Sequence, residues 1–220
     1  MTQHHANHLR LQIVSDVICP WCYIGKRGLD QALPVLAGRG VAIDVEWLPY
    51  QLNPTLPPEG MDRKAFRSAR FGSWEQALAM DARAVEAGRE AGAEFHYDRQ
   101  TRTSNTLAAH GLARLALAEG GSALQSRIID ALFVAYFSHG EDVGNHAVLD
   151  RIAGEAGMAP DAVRRSLALH AEVRRLEETA RLTGLNGVPS YLANGRLLFS
   201  GSQDVDGYVR TLTMAANRAN

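Results

Sequence analysis

Cys19 and Cys22 are the only thiols in the 220-residue chain, and they close the tetrad Cys19-Pro20-Trp21-Cys22. A thiolate, not a thiol, attacks a disulfide, and a free cysteine with a pKa of about 8.5 is only a few per cent thiolate at neutral pH. Chemistry at such a pair needs a local field that favours an anion. A helix N-terminus supplies one through its unpaired N–H groups and its partial positive charge. Cys19 falls where a helical pattern begins, and Pro20 lies just inside it, where a missing N–H costs no intrahelical bond. Cys22 lies one turn further on and can reach back to a mixed disulfide on Cys19. This spacing predicts an attacking Cys19 exposed at the helix tip and a shielded, resolving Cys22. Two plainer uses of the pair fit less well. A structural zinc site takes four ligands, usually two such pairs, and the chain has no second pair. A disulfide across so short a loop constrains little chain.

The elements that would position the pair are legible on either side. Leu9 to Ser15 alternates and ends β-branched, which predicts a strand. Tyr23 to Leu36 carries Ile24, Leu29, Leu33 and Leu36 near helical spacing, with Pro34 expected to kink that helix or end it early. Gly38-Arg39-Gly40 stops it, and Val41 to Trp47 alternates again as a second strand. Strand, helix, strand at these lengths is a right-handed parallel unit. A strand ending in C-x-x-C that opens a helix is the thioredoxin-like redox arrangement. Pro49, Pro54, Pro57 and Pro58 then mark a loop and a boundary ending at Gly60.

From Asp62 to about Thr183 the pattern is helical almost throughout, with Ser104 or Asn105 as a cap, a further helix after Ser122, and shorter ones from about Asn145, Pro160 and Ala171. After Gly184 the period returns to strands, joined at Asn194-Gly195 by a two-residue hairpin signal, and Ser202 or Asp204 can cap a last helix. The expected fold class is therefore α/β, a thioredoxin-like β-α-β…β-β-α with a large all-helical insertion. Residues 9–50 and 185–217 form the discontinuous thioredoxin-like unit, and residues 60–184 the insertion.

A net charge of −1 gives no reason to propose nucleic acid or an acidic membrane surface as partner. The most apolar stretch, Ile128 to Phe137, is too short to span a bilayer and is broken by Asp130. Met1 to His8 lacks the apolar core of a secretory signal, so the cytosol is the expected compartment, where a disulfide tends to be transient and catalytic. His4, His5 and His8 read as a frayed polar terminus, and no metal site is expected. Four other residues are candidates for a role near the pair. Asp16 and Glu46 are carboxylates that tune a thiol or relay a proton, or else a cap and a solvated group. Lys26, one turn into the helix, adds positive potential or faces water. His110 lines a cleft or is structural.

The chain resembles the DsbA-like thioredoxin-fold oxidoreductases, specifically their cytosolic FrnE-like branch. The resemblance rests on Ser15-Asp16-Val17-Ile18-Cys19-Pro20-Trp21-Cys22-Tyr23-Ile24-Gly25-Lys26, on Leu52-Asn53-Pro54 and Pro58-Glu59-Gly60, on Ser104-Asn105-Thr106-Leu107-Ala108-Ala109-His110, and on Gly187-Val188-Pro189 with Phe199-Ser200-Gly201-Ser202-Gln203. It implies thiol–disulfide exchange on protein or small-molecule substrates, with Cys19 as nucleophile, Cys22 as resolver, and Pro20, Trp21, Val188 and a cis Pro189 as active-site neighbours. No bound cofactor is implied beyond the redox-active disulfide, with glutathione as a candidate co-substrate. A sister group, the 2-hydroxychromene-2-carboxylate isomerases with the kappa-class glutathione transferases, is similar around Asn105, Ser202 and Gln203, which that resemblance makes candidate ligand-binding residues. That group has serine where this chain has Cys19, and commonly an aspartate where it has Gln203. A glutathione-dependent isomerase or transferase is the resulting alternative, and a redox-sensing holdase is another.

Overall fold

The structure, a computed structural model, describes residues 7–185 and 187–219; His4 and His5 lie outside the described residues. It opens with β1 (Asn7–Ser15), α1 (Pro20–Gly38) and β2 (Val41–Pro49). A segment rich in helices follows: β3 (Met61–Asp62), α2 (Arg63–Phe71), α3 (Trp74–Ala91), β4 (Arg102–Thr103), α4 (Leu107–Phe133), a π-helical turn over Val134–His139, α5 (His146–Glu155), α6 (Ala162–Ser166), a 3₁₀ turn and α7 (His170–Leu182). The chain closes with β5 (Ser190–Ala193), β6 (Arg196–Ser200) and α8 (Val205–Ala219).

One four-stranded sheet has the order β2-β1-β5-β6. β1 runs parallel to β2, pairing Ile13 with Trp47, and antiparallel to β5, pairing Ile13 with Tyr191. The β5–β6 hairpin turns at Asn194 and Gly195, both at positive φ (52° and 74°), as the Asn-Gly pair demands. This is the thioredoxin-like α/β fold with a helical insertion. The insertion is not purely helical: Met61 pairs with Thr103 in a short two-stranded ladder. Two-residue strands carry no periodic signal, so nothing in the sequence announced them. Nor does Pro34 end α1, which runs on to Gly38. Pro34 is exposed. On that face water can take the carbonyl that loses its partner.

Two contacts lock the helical segment to the thioredoxin-like unit, one at the redox helix and one at the sheet edge. The Tyr23 ring on α1 stacks on Phe133 and Phe137 at centroid distances of 5.4 and 5.5 Å and meets Phe95 edge-on at 5.5 Å. On the open edge of β2, the buried Gln125 amide pairs with the Trp47 backbone: its carbonyl accepts from the Trp47 N–H at 2.8 Å, and its NH₂ donates to the Trp47 carbonyl at 2.9 Å. A side-chain amide thus occupies the ladder position where another strand would otherwise add. α4 breaks at Gly120 and Gly121, the latter at φ 66°. This lets its second half, which begins next to Ser122, turn back onto the sheet.

Candidate active site

Cys19 is the N-cap of α1, with extended backbone (φ −90°, ψ 117°) and Pro20 in the first turn. Its N–H donates to the Asp16 carbonyl at 3.0 Å, and its own carbonyl accepts from the N–H groups of Cys22 and Tyr23 at 3.1 and 3.2 Å. The tetrad is therefore fixed by the ordinary start of a helix. Contrary to the exposed tip expected, Cys19 is only 4 % accessible, while Trp21 beside it is 41 % accessible. The cover comes from the loop before β5: Cys19 Sγ donates to the Val188 carbonyl at 3.6 Å. The Val188–Pro189 peptide bond is cis, and the Pro189 carbonyl accepts from Gly201 N–H at 2.8 Å. Cys19 still meets solvent through one opening. It lines a cleft of about 310 Å³ together with Ile18, Pro20, Trp21, Leu52 and Val188 on one wall and residues of α2 and α3 on the other.

Cys22 is fully buried one turn behind, and both thiols are free. Burial pushes its thiol well above the ordinary range, and the neighbouring Cys19 pushes the same way, while Ser15 and the Asp16 backbone pull weakly against them. The Ser15 hydroxyl itself is buried and makes no well-formed hydrogen bond. The two sulfurs are thus unequal. One faces a cleft at a helix N-terminus, and the other stays protonated until a disulfide is presented to it from the helix tip.

Asp16 is neither a cap nor solvated. Its buried carboxylate accepts from Leu52 N–H at 2.7 Å and meets His110 Nε2 at 3.3 Å. One side chain thereby ties the loop before Cys19, the loop after β2 and the start of α4 together. His110 is buried in that clamp and does not line the cleft. Glu46, on β2, is held by Arg10 (2.6 Å), Gln12 (3.0 Å) and Arg114 (3.0 Å). Lys26 does not face water: it is buried and pairs with Asp30 at 2.6 Å and Asp130 at 3.6 Å.

Asn105, Ser202 and Gln203 are not brought to the cleft. The Asn105 side chain is spent on the backbone, donating to the Leu56 carbonyl at 2.7 Å and accepting from Leu107 N–H at 3.0 Å. Ser202 and Gln203 line a different pocket, of about 440 Å³, with Ile24, Gly28 and the acidic Glu90, Asp204 and Asp206. Among the described residues no cluster of three His, Cys, Asp or Glu could hold a metal, and no helix is long and apolar enough to cross a membrane.

Sequence reasoning missed the far wall of the cleft: Phe66, Arg67, Arg70 and Phe71 on α2, and Met80 and Asp81 on α3. The one signal available was a helix combining three arginines with two phenylalanines, and such a helix reads equally as a solvated amphipathic face.

Compared with known proteins, residues 10–213 match the DSBA-like thioredoxin domain family. Among solved structures, a protein of Streptomyces coelicolor described as a probable DsbA oxidoreductase, SCO1869, superposes with a TM-score of 0.80 at 28% identity, covering 96% of this chain and 91% of its own. The cytosolic disulfide reductase DsbM of Pseudomonas aeruginosa, also solved with GSH, superposes with a TM-score of 0.65; without GSH the identity is 18% and the coverage 96% and 98%. A 2-hydroxychromene-2-carboxylate isomerase gives 0.68 at 12% identity, covering 96% and 95%. At these last two identities the likeness is one of fold.

Proposed function

The chain belongs to the DSBA-like thioredoxin domain family, and on that premise we propose that it is a cytosolic thiol–disulfide oxidoreductase of the FrnE-like kind. The observation that carries the reading is the inequality of the two cysteines: Cys19 Sγ lies in a cleft, 3.6 Å from the Val188 carbonyl, and Cys22 is buried one turn behind. The reduced pair works as follows. The Cys19 thiolate attacks one sulfur of a substrate disulfide; a Cys19–substrate bond forms, and the other substrate sulfur leaves as thiolate and takes up a proton. Cys22 then loses its proton and attacks Cys19 Sγ, releasing the second substrate thiol. The two cysteines have given two electrons to the substrate and become a disulfide. The reverse sequence oxidises a substrate dithiol. The redox-active disulfide is the only cofactor this needs, and the partners are protein or small-molecule thiols and disulfides. An isomerase or transferase of the sister group is less well supported, because Ser202 and Gln203 share their pocket with three carboxylates rather than with Cys19.

The test is what each single variant traps from a fluorescent disulfide-bonded peptide. Cys22→Ser keeps the attacker and loses the resolver, so it accumulates a covalent adduct that reductant releases. Cys19→Ser accumulates almost none. Adducts with Cys19→Ser but not with Cys22→Ser reverse the roles, and none with either removes the redox reading.

A further inference from the structure

The cleft in front of Cys19 has two unlike walls. The Cys19 side offers Ile18, Pro20, Trp21 and Val188, with no charge. On the opposite wall Asp81 is the only acid, and both of its oxygens are taken: Arg63 Nη2 donates to one at 2.6 Å and Arg67 Nη2 to the other at 2.5 Å. Arg70, in the last turn of α2, adds a second guanidinium to this wall beside that of Arg67, and among the described residues it has no hydrogen-bond or ion-pair partner. Arg63 and Arg67 thus take up the Asp81 carboxylate, and the Arg70 charge is left over on this wall.

Arg67 is held in place by Asp81 and by the Phe71 ring, 5.0 Å from its guanidinium carbon. Burial pushes its guanidinium down, Asp81 opposes that, and Arg63 adds to it, so its pKa lies below the ordinary arginine value while the group remains cationic.

We propose that this wall is a carboxylate-binding subsite: Arg67 and Arg70 hold an aspartate or glutamate side chain of a peptide whose neighbouring cysteine is presented to Cys19. A guanidinium is the side chain best shaped for a carboxylate, and one that is partly desolvated binds it more strongly than one in water. The occupant is a peptide rather than a small acidic thiol, because Phe66, Phe71, Met80 and Trp21 extend the cleft with apolar surface that a small polar thiol leaves unused. The Val188 carbonyl, beside Cys19, is an acceptor for an extended backbone. The subsite rests on the redox reading proposed above and names the substrate class: disulfides whose cysteine is flanked by an acidic and an apolar residue.

The experiment has a binding arm and an exchange arm. In the first, the Cys19→Ser/Cys22→Ser protein is titrated with three fluorescent peptides carrying an S-methylated cysteine, alike except for Glu, Gln or Lys beside it. The Glu peptide is expected to bind on the order of tenfold tighter than the Gln peptide, as a charge-assisted hydrogen bond gives, and the Lys peptide weakest. Adding Arg70→Glu, an exposed position whose change leaves the fold intact by circular dichroism, inverts the order of Glu and Lys. Equal binding of Glu and Gln, no detectable binding of either, or an order that Arg70→Glu leaves unchanged overturns the subsite. In the second arm the same peptides, as disulfides, are exchanged with the wild-type protein. Equal rates for Glu and Gln overturn the subsite and leave the redox reading standing. Absence of exchange together with a preserved Glu preference in the binding arm overturns the redox reading and leaves the subsite.

Discussion

Adding one methyl group to α1 should have opposite effects at its two ends. A Cβ built on Gly25 meets the Tyr191 hydroxyl at 2.5 Å, the Tyr208 hydroxyl at 3.1 Å and Pro189 Cγ at 3.5 Å, all in the core behind the tetrad. Those two hydroxyls hydrogen-bond each other at 2.5 Å, buried, so neither ring can yield without breaking the pair. Overpacking of this kind costs about 1–3 kcal/mol, and leaving a buried hydroxyl unpaired costs about 1–3 kcal/mol more. The gain from alanine over glycine inside a helix returns about 1 kcal/mol. Gly25→Ala should therefore lose roughly 1–5 kcal/mol. Gly38→Ala, at the exposed end of the same helix with nothing within 4 Å of its Cβ, should gain about 0.5 kcal/mol from the helix term alone. Urea denaturation with an unchanged m-value measures both. For a chain of this size each kcal/mol moves the melting temperature by about 2–4 °C. Because Tyr191 follows Pro189 and Ser190 on β5, Gly25→Ala should also slow exchange. Tyr191→Phe added to it frees the space of one oxygen and should recover part of the loss. A Gly25→Ala protein as stable as Gly38→Ala, or no coupling between Gly25→Ala and Tyr191→Phe in a double-mutant cycle, would refute the close packing on which this rests.

The buried Cys22 thiol, raised by desolvation, stays protonated in the native protein at pH values where an unfolded cysteine ionises. Stability from this group is intact below about pH 8.5 and is lost as pH rises toward the native value, by up to about 1.4 kcal/mol per pH unit. In Cys19→Ser, thiolate absorbance should appear well above pH 8.5; a midpoint at the free-cysteine value would contradict the burial. Glu46 behaves in the opposite sense. Burial pulls its carboxyl up, but the hydrogen bonds from Gln12, Arg10 and Arg114 outweigh it and leave it below the ordinary value. Its contribution is present above about pH 4.3 and lost as pH falls through the lowered value. Glu46→Gln should be destabilised against wild type at pH 7, with the gap closing in acid, and a gap independent of pH would sink this account.

What could be read in the sequence was local or periodic. The tetrad, the strand before it and the helix after it are contiguous, and the Asn194-Gly195 turn names its own geometry. The meeting of Cys19 with Val188 bridges 169 residues of chain, and only the family resemblance pointed to it. Asp16 and His110, 94 residues apart, form a clamp whose members each looked like an ordinary polar residue. The solvent-facing alternatives for Lys26 and Glu46 fail because both side chains are buried against partners. Lys26 pairs with Asp30 one turn along its own helix and also reaches Asp130, while Glu46 pairs with Arg10 on β1 and Arg114 on α4; of these only the Lys26–Asp30 spacing is recorded by periodicity.

The division of labour in the cleft follows from that difference. The chemistry comes from the strand-helix start, where the backbone itself sets the geometry: an N-cap sulfur, a helix end behind it, and a second sulfur one turn in. These features need little beyond the four residues and the Val188-Pro189 loop, so they carry no preference for one disulfide over another. The wall that can discriminate is built by α2 and α3, which contribute neither sulfur; the Tyr23 stack is one of the contacts that hold the helical segment on α1. Substitutions at Arg67 and Arg70 should accordingly change which disulfides are exchanged, whereas substitutions at Cys19 and Cys22 change whether any are. The Tyr23 aromatic stack, which touches neither sulfur nor substrate, is one joint through which the two walls keep their distance. Weakening it with Phe137→Leu should lower the preference between acidic and neutral peptides before it lowers exchange itself.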